Sequence, residues 1–407
     1  MAAIPSSATI KKPSAPRLAS IDIFRGLTIA VMIFVNDLAS VHGLPWWTYH
    51  AKASQDAMTY VDMVYPFFLF IIGLSMPLAF RQRLKKGTVR GLWWHVIVRS
   101  ASLIVLGLIL ANAEKADPAR MGISGSVWAL IALSGAVLYL SVYTGPEPRA
   151  VAHRLLRVIG LAIVIFMYAI FRRTTPTGDP GWIDGSYPEI LGLIGYTYFA
   201  VSVLYISTRR WLWSPLIWLI ALVTFNALCV DKWIVLPKHL PLYIWPLDSG
   251  AMASITMAGI VTSVIFLGEY RWQNLPRRVF LALGFAAISL IAGKLLTPLG
   301  ISKIRATPTW SLYSIAAAVA SFTLLYWICD VKKHIRWAFF VYPAGANTLL
   351  TYLLPDLYYF AVSAIGLTYF EQHWTMGWHG VIRSVVFTIA MLGIAAALTR
   401  CKVRLQL

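Results

Sequence analysis

Long apolar runs of roughly 18 to 22 residues recur from one end of this sequence to the other, and they constrain its fold more than any motif does. A helix needs about 20 apolar residues to cross the hydrocarbon of a bilayer, and many such runs in series predict an all-α, polytopic transmembrane bundle. Candidate spans lie near 22–40, 61–80, 93–112, 125–143, 154–171, 189–207, 211–230, 249–267, 279–297, 309–329, 337–354 and 381–399. That makes roughly ten to twelve spans, with twelve preferred. Residues 356–370 are too short and too aromatic for another and read as a re-entrant or interfacial piece. Composition agrees. The 407 residues are 59% hydrophobic and 13% charged, whereas a soluble globular chain is about a quarter charged.

A net charge of +19 would suit a nucleic-acid partner if the cations formed one patch. They do not. They fall in short groups between alternate runs, at Arg81 to Arg90, Arg149 to Arg157, Arg209/Arg210, Arg271 to Arg278, Lys332 to Arg336 and Arg400 to Arg404. This is the positive-inside pattern, and it puts both termini in the cytoplasm. Residues 1–19, with Lys11, Lys12 and Arg17, read as a cytoplasmic tail, 20–400 as one transmembrane domain, and 401–407 as a second tail. The expected setting is the cytoplasmic membrane, with the lipid bilayer as partner and no nucleic acid. One outer loop departs from the pattern: 294–307 (KLLTPLGISKIRAT) carries Lys294, Lys303 and Arg305 and no acid. Snorkelling of Lys294 is one account of it, and an anion site facing an outer cavity is the other.

On this topology Cys229 lies near the outer face and Cys329 and Cys401 near the inner one, about 30 Å of hydrocarbon apart, too far to bridge. No metal-ligand spacing is present, so no metal is expected. Tryptophans at span ends, such as Trp93/Trp94 and Trp211/Trp213, are explained by interfacial anchoring.

Ionisable groups inside apolar runs cost several kcal/mol unless paired or wet, so each needs a reason. Asp22 and Arg25 are three residues apart on one helix face, which fits a local ion pair, or an Arg25 that holds a phosphate-bearing ligand from the cytoplasm. Asn36 and Asp37 follow about 21 Å farther along the same helix, near the outer face. Asp62 and Asp248 each open a span at that face, where helix capping also favours an acid. Asn347 falls near mid-bilayer and must find a partner, either another helix or a solvated tunnel.

Histidine suits proton transfer near neutral pH and can carry an acyl group transiently. His95, His153 and His334 sit at basic ends, and His239, His373 and His379 in outer loops without a second signal. His42 and His50 differ. They stand between Asn36/Asp37 and Asp62, and an acid beside an imidazole raises its basicity and fixes its tautomer.

These residues lie in blocks that resemble a known family. RLASIDIFRGLTIAVMIFVN (17–36), His50-Ala51 and VDMVYPFFLFIIGLSM (61–76) are similar to the opening blocks of the heparan-α-glucosaminide N-acetyltransferase-like membrane acyltransferases. LDSGAMASI (247–255), ISKIRATPTWSLYS (301–314), YWICDVKK (326–333) and YPAGANTLLTY (342–352) resemble later ones. The resemblance implies transfer of an acetyl group from cytosolic acetyl-CoA, as co-substrate, to a glycan or amino-sugar acceptor at the outer face. The family's proposed catalytic histidine falls on His50. Asp62 would support it, and Asn36, Asp37, His42, Asp248 and Asn347 would bind the acceptor or assist. Arg25, Lys303 and Arg305 are the candidates for the CoA phosphates. A homodimer is the oligomer left open.

The sequence departs from the family in three ways, the first two of them in the loop where an acceptor would dock. The stretch between Asn36 and His50 is longer, KASQDA (52–57) replaces an expected Trp-Asn-Gly, and 125–171 reads as an added hairpin. Two rival readings stand beside the enzyme: a secondary transporter for a small anionic metabolite or glycan fragment, and an inactive glycan-binding relative. Against the transporter, no pair of Gly/Pro-broken spans recurs in matching halves.

Overall fold

The computed structural model describes residues 18–143, 150–235, 248–268, 274–367, 369 and 373–406. Lys11, Lys12, Arg17, Arg149, His239 and Arg271 lie outside the described residues. The helices are α1 (Ala19–Leu38), α2 (Val61–Lys86), α3 (Val89–Asn112), the single turn α4 (Pro118–Met121), α5 (Gly125–Leu140), α6 (Ala150–Ile170), α7 (Glu189–Thr208), α8 (Ser214–Val230), α9 (Ala251–Leu267), α10 (Leu275–Leu295), α11 (Pro308–Tyr326), α12 (Tyr342–Ala346), α13 (Thr348–Ala364) and α14 (Gly377–Arg400). Eight segments, on α1, α2, α3, α6, α7, α10, α11 and α14, are long and apolar enough to cross a membrane, and α5, α8 and α9 are shorter apolar helices. The only strands among the described residues are Arg173–Thr174 and Pro180–Gly181, a two-residue antiparallel pair.

α1, α2, α9 and α11 form the centre. α2 and α9 approach so closely at Gly73 and Gly259 that a methyl on either would overlap the facing backbone carbonyl, of Thr256 and Phe70 respectively. Large apolar side chains on α6 (Val158, Ile165, Phe166) and α10 (Phe280, Ile288, Ile291) stay exposed, as a lipid-facing rim requires.

Two ends of the bundle can be told apart by contacts. At one, the Asp330 carboxylate accepts from the Ala19 and Ser20 amides at 3.1 and 3.2 Å, capping α1. Arg25 there bonds Ser75 Oγ (3.0 Å), the Gly345 carbonyl (3.2 Å) and Asp22 (3.2 Å). At the other end, the mouths of α2 and α11 meet, with Trp310 Nε1 donating to the Asp62 carbonyl at 3.1 Å.

The region read as a span over 337–354 followed by a short piece over 356–370 folds differently. The break falls at Asn347 (φ −128°, ψ 52°), and α13 then runs unbroken through Pro355 to Ala364. Asn347 sits at the Arg25 end and not at mid-bilayer. Its side-chain amide donates to Thr399 Oγ1 (3.1 Å) and the Val403 carbonyl (2.8 Å), and its oxygen accepts from the Leu405 amide (3.2 Å). The C-terminal residues are therefore docked, with Leu405 pairing Ser141.

Candidate active site

The site grows from the entry to α2. Asp62, the second residue of that helix, accepts through Oδ2 from the Ala51 amide (3.2 Å) and the Thr59 amide (3.0 Å). The Thr59 hydroxyl lies between Asp62 Oδ2 (3.3 Å) and the Tyr49 carbonyl (2.8 Å). A carboxylate at a helix N-terminus is stabilised by the free amides there, so this local folding is expected. The geometry goes beyond capping because the second oxygen, Oδ1, faces His50 Nδ1 at 2.7 Å. With Asp62 buried and ionised, Nδ1 carries the proton and Nε2 is left as the basic nitrogen.

Lys303 completes the cluster. Its Nζ lies 3.4 Å from both ring nitrogens of His50. Burial pushes its ammonium below the ordinary lysine range, while the charges of Asp62 and Glu189 pull the other way. Arg305, two residues on, pairs with Asp56, and this bond holds the Asp56 carboxyl below its usual range. The two cations of the anomalous loop thus face different partners. Arg305 grips the KASQDA segment, and Lys303 reaches His50.

The other residues singled out from sequence fall elsewhere. Asp37 is buried on α1 and engaged by Arg383 Nη2 (3.2 Å), Ser384 Oγ (2.6 Å) and Tyr359 Oη (2.6 Å), which tie α1 to α13 and α14. The His42 backbone pairs with 375–377, its amide donating to Thr375 O at 2.7 Å and its carbonyl accepting from Gly377 N at 2.8 Å. Asn36 is exposed. Asp248 opens the 3-10 turn Asp248–Gly250, and its side chain lies outside the described residues. Arg25 is held at the opposite end of the bundle. Lys303 and Arg305 lie beside the His50 loop, so these three cations surround no common ligand. Sequence reasoning passed over Trp310, Arg383, Glu189 and Asp356. The last two are acids within or at the edge of apolar runs, the same signal that singled out Asp62.

An all-helical integral membrane protein with a carboxylate-oriented histidine at a helix mouth is the class these features define. The chain belongs to the family described as "Domain of unknown function (DUF5009)", which matches residues 17–233. It is also similar to heparan-alpha-glucosaminide N-acetyltransferase of Homo sapiens, 38% identical over 98 residues, 24% of this chain and 14% of that protein. The mouse protein (Mus musculus) of the same name is 36% identical over 103 residues, 25% of this chain and 15% of its own length. The resemblance read from the sequence blocks therefore holds, over a minor part of the relatives' length.

Proposed function

We propose that this protein is a transmembrane acetyltransferase of the cytoplasmic membrane, moving an acetyl group from cytosolic acetyl-CoA to an amino sugar or other glycan acceptor at the outer face. The observation that carries the reading is the His50–Asp62 pair at 2.7 Å, with its backbone lacing. His50 Nε2 takes a proton from the acceptor's amine or hydroxyl as that atom attacks the thioester carbonyl carbon. The tetrahedral intermediate then expels the CoA sulfur, which recovers the proton from the imidazolium. A transient acetyl-imidazole is the covalent variant of the same step. Asp62 holds the tautomer and balances the imidazolium charge. The Lys303 ammonium is placed to stabilise negative charge on the thioester oxygen, a better fit to its position than a phosphate contact. At the Arg25 end, a cleft of about 110 Å³ lined by Arg81, Arg209 and Trp211 offers cations to the CoA phosphates.

The reading is tested with purified protein in nanodiscs, measuring acetyl-CoA-dependent acetylation and acetyl-CoA hydrolysis for wild type, His50→Ala and His42→Ala. His50→Ala is expected to abolish turnover and His42→Ala to retain it. Full activity in folded His50→Ala protein would remove His50 from the mechanism. Substrate flux in proteoliposomes without acetylation would favour a transporter.

A further inference from the structure

The end of the α5–α6 hairpin carries a cleft that the transfer step does not use. α2 leads away from His50, α3 returns, and α6 finishes at that same end. There Asn112, the last residue of α3, exchanges hydrogen bonds with the Asp184 backbone at 2.8 and 3.1 Å. Between α6 and Asp184 the chain makes the small antiparallel pair of Arg173–Thr174 with Pro180–Gly181. A cleft of about 450 Å³ opens beside it, lined by Ala169, Arg172, Pro180, Gly181 and Trp182. Arg172 is the one charged residue in this lining.

Arg172 and Trp182 are both held in place. The Arg172 Nη1 donates to the Phe171 and Ala169 carbonyls at 2.6 and 2.8 Å, which caps the C-terminal end of α6. The Arg172 carbonyl in turn accepts from the Asp117 amide at 3.0 Å. Capping uses one nitrogen only, and Nε and Nη2 have no partner among the described residues. The neighbouring acids are engaged elsewhere: Asp117 by Arg120 and Thr174, Asp184 by Lys115, and Asp179 by Thr177. Trp182 donates Nε1 to the Tyr168 carbonyl at 2.7 Å, and Arg173 Nε binds the Trp182 carbonyl at 2.8 Å. A tryptophan that only anchors a helix at the interface keeps its N–H for headgroups and water. Here the N–H is consumed within the protein, and the 57% of the residue left exposed offers carbon.

An apolar lane leads into the cleft. Val164, Met167 and Phe171 on α6 are buried. Leu155, Val158, Ala162, Ile165 and Ala169, spaced three and four residues apart, form one exposed stripe. It is about 21 Å long, more than the roughly 15 Å depth of one leaflet's hydrocarbon, and its last member, Ala169, belongs to the cleft wall. A fixed guanidinium with two free nitrogens, set at the head of an apolar lane, matches a ligand with an anionic head and an apolar tail.

We propose that this cleft seats the headgroup phosphate of a bilayer phospholipid. Arg172 Nε and Nη2 donate to the phosphate oxygens, Trp182 covers the glycerol backbone, and an acyl chain runs along α6. A free phosphate ester offers the same oxygens without a tail, and the apolar lane favours the lipid. The assignment stands apart from the acetyltransferase reading and is tested without turnover.

The test uses full-length protein in nanodiscs doped with a photoreactive phosphatidylcholine, or with the diacylglycerol that carries the same diazirine-bearing chains, and maps crosslinked peptides by mass spectrometry. The phosphatidylcholine probe is expected to label residues 155–182 at least fivefold more than the diacylglycerol probe. Arg172→Gln should lower that labelling to the diacylglycerol level, and Trp182→Leu should lower it at least threefold. Labelling of α10, whose Phe280, Ile288 and Ile291 also face outward, should stay the same in each variant and so report an intact bundle. Equal labelling of 155–182 by the two probes in wild type would overturn the proposal, and this arm needs no variant to fold. So would unchanged labelling in both variants. Loss of the labelling to millimolar glycerol phosphate would overturn the lipid assignment in favour of a soluble phosphate ester.

Discussion

Replacing Asp62 with asparagine separates the two roles this residue holds. In the wild type, Oδ2 accepts two backbone amides and Oδ1 faces His50 Nδ1 at 2.7 Å. An asparagine that keeps its oxygen toward Ala51 and Thr59 must turn its NH2 toward Nδ1. That ring nitrogen then accepts, the proton moves to Nε2, and the base that faces the acceptor is lost. Well-placed general bases contribute about 10²–10⁴ in rate, so kcat is expected to fall by that factor, about 2.7–5.4 kcal/mol of barrier. Stability should fall less, by about 1–2 kcal/mol, because the amide contacts survive without their charge. The assay is acetyl-CoA turnover beside thermal unfolding, with Asp62→Asn, His50→Ala and the double variant compared. If the two act as a unit, the double variant loses no more than His50→Ala alone. A folded Asp62→Asn protein with kcat within threefold of wild type would reduce Asp62 to a helix cap.

Lys303→Met is expected to lower kcat about 10- to 100-fold, with little change in acceptor KM, if the ammonium stabilises the thioester oxyanion; a KM effect alone would return Lys303 to substrate binding. Because burial lowers its proton affinity, Lys303 should react with an amine-directed acylating reagent at lower pH than the exposed lysines, read by peptide mass spectrometry. Asp56 is held below its ordinary value near 3.8 by Arg305, so that contact persists above pH 3.8 and is lost as pH falls through the lowered value. Amide exchange over 52–57 should rise there, and in Arg305→Ala at every pH. Arg383→Met strands the buried Asp37 carboxylate and should cost about 3–5 kcal/mol in thermal or denaturant unfolding, much of it recovered by adding Asp37→Asn.

Much of the fold was legible because the bilayer demands long apolar helices, and period and length suffice to find them. The bundle's finer cuts were not. Asn347 breaks a helix where the apolar run shows no gap, since its side chain is consumed by the chain terminus some 50 residues away, and α13 continues through Pro355 because neighbouring helices enclose it. At the site, His50 and Asp62 lie twelve residues apart and share one loop, so their pairing could be argued from local order. Lys303 was visible as a misplaced charge, but its partner was not, since only the packing of α11 against α2 carries that loop to His50. Asp37 and Asn36 are neighbours in sequence yet face different surroundings, one buried on Arg383 and the other exposed.

The segment that departs most from the family, Lys52 to Ala57, is also the one that can change without moving the chemistry. A single oxygen, Asp62 Oδ2, accepts from Ala51 just before it and from Thr59 just after it. The loop is closed at its base, and chain-closure cost grows only slowly with the length in between, about 0.6 kcal/mol per doubling. Arg305 then fixes the loop's flank through Asp56. Exchanging 52–57 for a four-residue Gly/Ser linker should therefore leave acetyl-CoA hydrolysis within about threefold, since His50 stays pinned by Asp62. Acceptor KM should change by tenfold or more, because the segment that flanks His50 and is gripped by Arg305 is removed. Loss of hydrolysis in a folded loop variant would show that the segment, and not the clasp at its base, positions the histidine.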